Sequence, residues 1–465
     1  MTAATRFFLT LSAICCVPWL AAGRAASAAD GPQAAGPAWS HVDYALTAEG
    51  ELFAAARREA APLTRPISLA ARFAFDERPA EAAGPRGVAR RYRVAEATIT
   101  ADGEDHRRVL ASDAASPLIA VEGTMPKPFL EEGFLSREEA ELLDIPFDPV
   151  LLDLLQPAGD VPEGEAWTIA ADLVAGLLAI DTVETGRLTA SVESVADGVV
   201  TIRLQGTISG AVDGVATRIA VDGSCEAEAV AGETAGSWRL ATGISRLEVS
   251  LDERRQAGWV APGLDIQATI EVSRSDDGTP VVEAGGLAPA AADRPAGPGR
   301  PGYVWHRHPH GRYSMAVDSR WRVVEDGPDG LVMRLIDRGM LVAQCSVLPL
   351  PRGDADAPPT VETVAGDVER SLGGQFGRIA EAEALSRSDG TRIVRVVADG
   401  TAENRPFRWI HHVLTDPGGY RAAVTFMAEP AVLERFAMAD RELVAGLVLL
   451  PDPPRAAVRP AARPR

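Results

Sequence analysis

Asp-Gly dipeptides recur between runs of alternating apolar and polar residues in the first half of the chain. They stand in the stretches 196–198, 212–214 and 221–223. Asp-Gly readily adopts the left-handed backbone angles of the tight turns that join antiparallel strands. Each stretch therefore predicts a β-hairpin, and the three together predict an antiparallel sheet.

Period-two alternation is equally clear in the run ISLAARFAFDE, which begins at Ile67. Because side chains alternate across a strand, one face of this strand is expected to be apolar along its length. That face carries Ile67, Leu69, Ala71, Phe73 and Phe75. The next run, GVARRYRVAEATI, predicts a second strand with a bulge where its apolar set changes face.

Two helix-start signals interrupt the strands in FLSREEAELLDIPFDPVLLDLLQP. Ser136 and Glu139 have the spacing of a capping box. Asp148 followed by Pro149 supplies an N-cap and a first-turn proline for a second short helix. Residues 39–274 are therefore predicted to form a twisted antiparallel sheet or half-barrel with short helices inserted midway.

A stretch rich in proline, glycine and alanine, residues 275–302, follows this β-rich domain. It shows no hydrophobic period and predicts a linker. A second domain is expected over residues 303–450. The basic, proline-rich tail at 451–465 predicts disorder.

The second domain is predicted to run in the order strands, helix, strands, helix. A helix that begins after Thr360 would place Val361, Val364, Val368 and Leu372 on one stripe. A last helix that begins at Pro430 would direct inward Leu433, Phe436, Leu443 and Leu447. This order predicts an antiparallel sheet covered by two helices, and an α+β fold class for the chain as a whole.

The second domain resembles the PsbP-like fold. The similarity lies in YSMAVDSRWRVV, in the helix at 360–372, in the hairpin WIHHVLTDPGGYRAAVTF and in the terminal helix. Trp321 matches the aromatic residue of the opening, whereas Ser319 and Arg320 stand where that group usually has proline. The resemblance implies a binding or assembly module without shared catalytic residues.

The first domain resembles a family of uncharacterised secreted bacterial proteins. The similarity lies in FLSREEAELLDIPFDPVLLDLLQPAGDVPEGEAWTI, where Glu165 stands in place of the family's usual aspartate. The matching positions are Leu154, Leu155, Pro157, Val161, Gly164 and Trp167. No activity follows from this resemblance.

Residues 1–28 read as a secretory signal peptide. Arg6 supplies the positive start, residues 7–22 form an apolar core, and Ala26-Ser27-Ala28 is a small-residue cleavage site. The chain is therefore expected in the periplasm or outside the cell, with retention of this segment as an anchor the alternative. No later segment is long and apolar enough to span a membrane.

The net charge of the chain is −19, and it becomes −21 after cleavage because Arg6 and Arg24 are lost. A strongly acidic protein is repelled by phosphate backbones, so nucleic acid is excluded as a partner. After cleavage two cysteines remain, Cys225 and Cys345. Whether they pair is left open by the sequence.

Catalytic motifs are missing from the sequence. There is no Gly-x-Ser-x-Gly elbow and no phosphate-binding glycine loop, and Lys127 is the only lysine. We therefore expect no enzyme activity and no cofactor.

The histidines of HRHPHG are the one metal candidate. His306, His308 and His310 would project to one face of a strand and could ligate zinc or copper. Pro309 lies inside the run and is disfavoured in a regular strand, so a metal site is not favoured.

The sequence thus favours a secreted, non-enzymatic binding or assembly module that recognises an unknown protein or envelope component. One alternative is a carrier that holds a lipid or other apolar ligand in the first domain's sheet. The other is a metal-binding protein that uses His306, His308 and His310.

Overall fold

The computed structural model describes residues 39–53, 64–156, 159, 161–162, 164–232, 237–257, 263–275, 286–291, 294–355 and 357–451. The predicted signal peptide and nearly all of the predicted tail lie outside these residues. The chain divides into an N-terminal unit, Met1–Tyr303, and a C-terminal unit, Val304–Arg465.

The N-terminal unit is built on one sheet of thirteen strands. The strands are β1 (Ser40–Phe53), β2 (Thr64–Pro79), β3 (Val88–Ala101), β4 (Glu104–Val109), β5 (Leu118–Glu122), β6 (Met125–Phe129), β7 (Val161–Pro162), β8 (Ala166–Thr168), β9 (Thr182–Ala196), β10 (Val199–Val212), β11 (Val215–Ala231), β12 (Ser237–Arg255) and β13 (Gly263–Ser275). Their spatial order is β6-β5-β3-β2-β1-β13-β12-β11-β10-β9-β8, with β4 beside β3 and β7 beside β12.

Two of the three Asp-Gly predictions are confirmed. Asp197 and Asp213 have φ near +50°, each is followed by a glycine of positive φ, and each pair joins two neighbouring strands. The prediction at 221–223 is wrong, because β11 continues through it and pairs with β12. A side chain at Gly223 would place its Cβ 2.5 Å from the Glu248 carbonyl oxygen, so this glycine permits close strand contact instead of a turn.

The apolar face predicted for β2 is confirmed. Its five alternating residues are buried in the main hydrophobic core. The predicted bulge is also present, because the pairing of β2 with β3 shifts between Ala74 and Phe75. Arg93 is the extra residue on β3.

Three short helices pack against the apolar face of the sheet. They are α1 (Arg137–Leu143), α2 (Pro149–Leu152) and α3 (Ala171–Leu177), with 3₁₀ turns at Glu81–Ala83, Ser112–Ala114 and Asp153–Leu155. The predicted capping box of α1 and the predicted Asp148 cap of α2 are both confirmed. Helix residues share one core with the sheet, among them Leu142, Leu143, Leu151, Leu152, Val174 and Leu177. The helices contact β3, β4, β6 and β9, and the apolar face of the sheet is buried in the core that they share with it.

Part of the segment predicted as a linker packs on the N-terminal unit. The Ala288 amide and carbonyl make backbone hydrogen bonds of 2.9 and 2.8 Å with the chain that follows β4. Arg294 forms ion pairs with Asp113 and Glu139, each at 2.7 Å. Glu139 belongs to the capping box of α1, so Arg294 connects this segment to the helical layer.

The C-terminal unit contains two sheets. The strands are β14 (Tyr303–Arg307), β15 (Tyr313–Asp318), β16 (Trp321–Gly327), β17 (Gly330–Asp337), β18 (Met340–Leu350), β19 (Phe376–Ser386), β20 (Arg392–Ala402), β21 (Arg405–Thr415), β22 (Arg421–Ala428) and β23 (Leu447–Leu449). The large sheet has the order β16-β17-β18-β22-β21-β20-β19, and the small sheet has the order β14-β15-β23.

The helices of this unit are α4 (Val361–Leu372), α5 (Leu433–Phe436) and α6 (Ala439–Gly446), with 3₁₀ turns at Gly373–Gln375 and Pro430–Val432. The Thr360 cap of α4 is confirmed by its hydrogen bond from the Thr363 amide. The single helix predicted from Pro430 is wrong. Ala437, with φ of 46°, ends α5 and separates it from α6.

The α+β prediction for the whole chain is wrong, because the described chain is mostly β-sheet with little helix. Strands in the N-terminal unit reach 19 residues, since they continue through positions that resemble turns. In the C-terminal unit α4 is only 12 residues long and packs mainly on β19 and β20. Two helices of this size do not cover a seven-stranded sheet.

Candidate functional site

The three candidate histidines have different environments in the structure. His306 lies in β14 and is buried, and His308 follows the strand and is also buried. His310 is exposed, and its amide donates to His308 Nδ1 at 3.2 Å. The strand ends at Arg307, so the alternation that would direct three imidazoles to one face does not continue.

The two buried histidines contact Tyr313 of β15. The ring centres of His308 and Tyr313 are 4.9 Å apart, and those of His306 and Tyr313 are 6.4 Å apart. His306 Nε2 lies 3.9 Å from Asp326 Oδ1, beyond hydrogen-bond distance. We call His306, His308, Tyr313 and Asp326 the Tyr313 cluster.

Burial governs the protonation of the Tyr313 cluster. It raises the pKa of Tyr313 well above its usual value, and the charge of Asp326 adds to this effect. It lowers the pKa of His308, against a smaller opposing effect of the Pro328 carbonyl. Both side chains are therefore neutral near pH 7. Within the described ranges, no three His, Cys, Asp or Glu side chains converge closely enough to hold a metal ion.

A second buried cluster holds the start of α6. Asp440 accepts hydrogen bonds of 3.0 Å from Arg395 Nε and from His412 Nε2. Arg395 also donates to Glu381 at 2.8 Å. Burial opposes the charge of Asp440, but the hydrogen bonds from His412 and Arg395 outweigh it and lower its pKa. The cluster is an ion-pair network that fixes α6 to β20 and β21.

His411 and His412 point to opposite faces of β21, as adjacent strand residues must. His411 Nδ1 is 3.0 Å from the Thr425 hydroxyl, whereas His412 contacts Asp440. Burial, with a smaller effect of His412, lowers the pKa of His411 to about 4.

The N-terminal unit contains a third cluster, centred on Arg90 of β3. Arg90 donates to Asp148 Oδ2 at 2.9 Å, pairs with the other Asp148 oxygen and donates to Glu77 at 3.1 Å. Burial opposes its charge, yet Asp148, Tyr92 and Glu77 together raise the pKa of Arg90. Arg274 of β13 donates to the second Glu77 oxygen at 2.8 Å. This network joins three strands to the N-terminus of α2.

Sequence reasoning missed the Arg90 and Asp440 clusters, although signals for both exist. Arg90 stands two residues before Tyr92, so both side chains lie on the inward face of the strand, which is otherwise apolar. His412 occupies an equivalent position in WIHHVLT. A charged residue at an inward position predicts a buried partner, because an unpaired buried charge is strongly unfavourable.

The two thiols are poorly suited to nucleophilic chemistry. Cys225 and Cys345 are free and buried. Burial, with a smaller effect of Glu226, raises the pKa of Cys225 to about 12, and burial raises that of Cys345 well above its usual value. The thiolate is the reactive form, so both groups are inert near neutral pH.

None of the helices in the described part of the chain is long and apolar enough to cross a membrane.

Comparison with known proteins gives only distant similarities. No family model and no curated protein matches the chain. Cyanobacterial PsbP (CyanoP) from Synechocystis sp. PCC 6803 matches 37% of this chain and 99% of its own, with 14% identity and a TM-score of 0.27. A protein of unknown function from Pseudomonas aeruginosa matches 33% of this chain and 99% of its own, with 15% identity and a TM-score of 0.20.

Lipovitellin matches 56% of this chain but only 27% of its own length, with 7% identity and a TM-score of 0.27. TM-scores this low transfer no residue role to the chain. The PsbP-like resemblance of the C-terminal unit therefore stays a prediction, and the site must be argued from the chain's own residues.

Proposed function

We propose that the chain is an exported, two-domain binding or assembly protein of the bacterial envelope that has no catalytic activity. The observation that carries this proposal is the burial of the apolar side chains of the N-terminal sheet in one core, which they share with α1–α3. The chain's own residues bury the face on which a carrier would hold its ligand, so recognition falls to the outer surfaces and edges of the two units.

The electrostatics support the same proposal. The buried carboxylates of Asp148 and Asp440 are held by arginines of their own unit. The hydrogen bonds from His412 and Arg395 lower the pKa of Asp440, so this carboxylate serves poorly as a general acid near pH 7. The absent sequence motifs for nucleophilic and phosphate chemistry point the same way.

A metal-binding function is less well supported. His310 is exposed while His306 and His308 are buried, so the three do not form one ligand set. An apolar-ligand carrier is likewise disfavoured by the burial of the sheet's apolar side chains in the core.

Two measurements test the proposal. The full protein, assayed with panels of ester, glycan and peptide substrates, should turn over none; saturable turnover would refute the non-enzymatic function. N-terminal sequencing of the protein recovered from its own cells should begin at Ala29, in the periplasmic or extracellular fraction. An intact Met1 in the cytoplasm would refute export.

A further inference from the structure

We propose that the outer edge of β19, residues 381–386, binds an extended segment of another protein as an added antiparallel strand. The segment would carry basic side chains opposite Glu381 and Glu383. This inference rests on the proposed binding function and assigns it a surface and a class of partner. Strand addition supplies affinity through main-chain hydrogen bonds and specificity through alternate side chains.

The position of β19 makes it an edge. It is the last strand in the order of the large sheet, and in the described part of the chain it pairs with β20 alone. The residues of the outer edge are exposed, except that Glu383 is half-buried. Packing by α4 involves the earlier half of the strand, through Phe376 and Ile379. The backbone edge from 381 to 386 therefore has no paired strand on its outer side in the described structure.

The hairpin register identifies which backbone groups are available. The Arg387 amide donates to the Thr391 carbonyl at 2.9 Å, so these residues form a hydrogen-bonded pair. Hydrogen-bonded and non-bonded pairs alternate along an antiparallel ladder. Ala382, Ala384 and Ser386 therefore direct their N–H and C=O groups away from β20, toward the open side.

Devices that protect edge strands are concentrated before the outer edge. The pairing of β19 with β20 is irregular between Phe376 and Arg378 and again between Ile379 and Glu381. From Glu381 to Ser386 the register is regular, and no proline or lysine occurs there. Bulges, proline and lysine are three usual means of blocking an edge, and none of them occurs in this stretch.

Charge selects the partner. Glu381 and Glu383 are two residues apart on one face, with 60% and 36% of their side chains exposed. Arg395 and Arg441 hold them in place through hydrogen bonds of 2.8 and 2.9 Å. Basic side chains placed directly opposite Glu381 and Glu383 by an added strand would form favourable cross-strand charge pairs.

The side chains set an order for the partner. Leu385 shares the face of the two glutamates and is 40% exposed. An antiparallel partner runs in the opposite direction to β19. Its residues opposite Leu385, Glu383 and Glu381 therefore follow one another in that order from its N-terminus to its C-terminus. The fitting sequence is therefore apolar-x-basic-x-basic.

A labelled peptide tests this. The probe is Ser-Val-Thr-Arg-Thr-Arg-Thr, and its control has glutamate in place of both arginines; binding to the full chain is followed by fluorescence anisotropy. We expect saturable binding of the basic peptide and at least tenfold weaker binding of the acidic one. The double variant Glu381→Gln with Glu383→Gln should bind the basic peptide roughly threefold to tenfold more weakly, which is the scale of two cross-strand charge pairs.

Ala384→Pro tests the main-chain component. Proline removes an outward N–H but no hydrogen bond to β20, so the hairpin is retained while the edge is blocked. We expect at least a tenfold loss of binding, whereas the matched variant Ala384→Val should bind as the unmodified chain does. Equal binding by the Pro and Val variants, or equal binding of the two peptides, would overturn the proposal.

Two further results would also overturn it. The first is that the basic peptide does not bind. The second is that the chain forms a dimer that Ala384→Pro abolishes, because the edge would then be occupied by a second copy of the chain. Neither result bears on the non-enzymatic function, because turnover is measured separately on the same preparation.

Discussion

Substitution of Arg90 by methionine should destabilise the N-terminal unit severely. The Arg90 side chain has 0% of its surface exposed and that of Asp148 has 2%, so neither charge reaches water. Methionine retains most of the packing of the aliphatic stem but leaves Asp148 without its guanidinium. Breaking a buried ion pair by removing one partner costs about 3–5 kcal/mol. This is a large share of the stability of an ordinary domain.

Hydrogen exchange in increasing urea, resolved by mass spectrometry for peptides of β2 and β3, measures this loss in the N-terminal unit alone. The free energy of opening should fall by about 3–5 kcal/mol in Arg90→Met. The matched control is Arg65→Met, which breaks an ion pair with Asp102 whose side chains are 44% and 48% exposed. Exposed pairs contribute about 1 kcal/mol or less. An Arg90→Met effect no larger than that of Arg65→Met would refute the reasoning.

A double variant separates the lost charge from lost packing. In Arg90→Met with Asp148→Asn, the buried carboxylate becomes a neutral amide that can still cap α2. Glu77 keeps its ion pair with Arg274 at 2.8 Å. The double variant should therefore be more stable than Arg90→Met alone. Equal or lower stability would mean that packing around Arg90, and not its charge, is the main contribution.

Three further predictions concern other parts of the fold. Gly299→Ala would place a Cβ 1.5 Å from the Leu130 carbonyl oxygen, so it should destabilise the N-terminal unit by about 1–3 kcal/mol and lower its unfolding temperature. Gly159→Ala, which adds a methyl group in open space, should leave the unfolding temperature unchanged. Arg294→Ala removes the ion pairs with Asp113 and Glu139 and should speed proteolysis between 286 and 302; an unchanged rate would count against its anchoring role. The pKa of His411 is lowered to about 4, so folding is favoured by its neutral form above pH 6.5. This stability, at most about 3 kcal/mol, is lost as the pH falls toward 4. His411→Gln should flatten this part of the curve of stability against pH, and an unaltered curve would refute the assignment.

Local signals were predicted well because their chemistry is local. The Ser136–Glu139 capping box and the Asp148 cap use side chains and amides within three residues of each other. The turns at Asp197 and Asp213 depend on the same short range. Such features are specified by the residues that form them.

Features set by tertiary pairing were predicted poorly. Asp222 and Gly223 have the composition of a turn, yet pairing with β10 on one side and β12 on the other keeps β11 extended. Ala437 has high intrinsic helix propensity but adopts a positive φ between α5 and α6. The two helices predicted for the second domain also gave no indication of how many strands of its sheet they would leave uncovered.

The histidine run illustrates the same limit at the candidate site. Spacing alone placed His306, His308 and His310 on one face, but the strand ends before His308. Tyr313 and Asp326, which complete the Tyr313 cluster, come from the next two strands. Only the pairing of those strands brings the four residues together, and this pairing is not encoded in the run itself.

Native mass spectrometry of the full protein, purified without detergent from the cells that make it, tests most directly whether the apolar core of the N-terminal unit is filled by the chain's own side chains. We predict a single species at the mass of the polypeptide, with no adduct lost on denaturation. A stoichiometric lipid or other apolar adduct that denaturation releases would contradict this, and would make the protein a carrier.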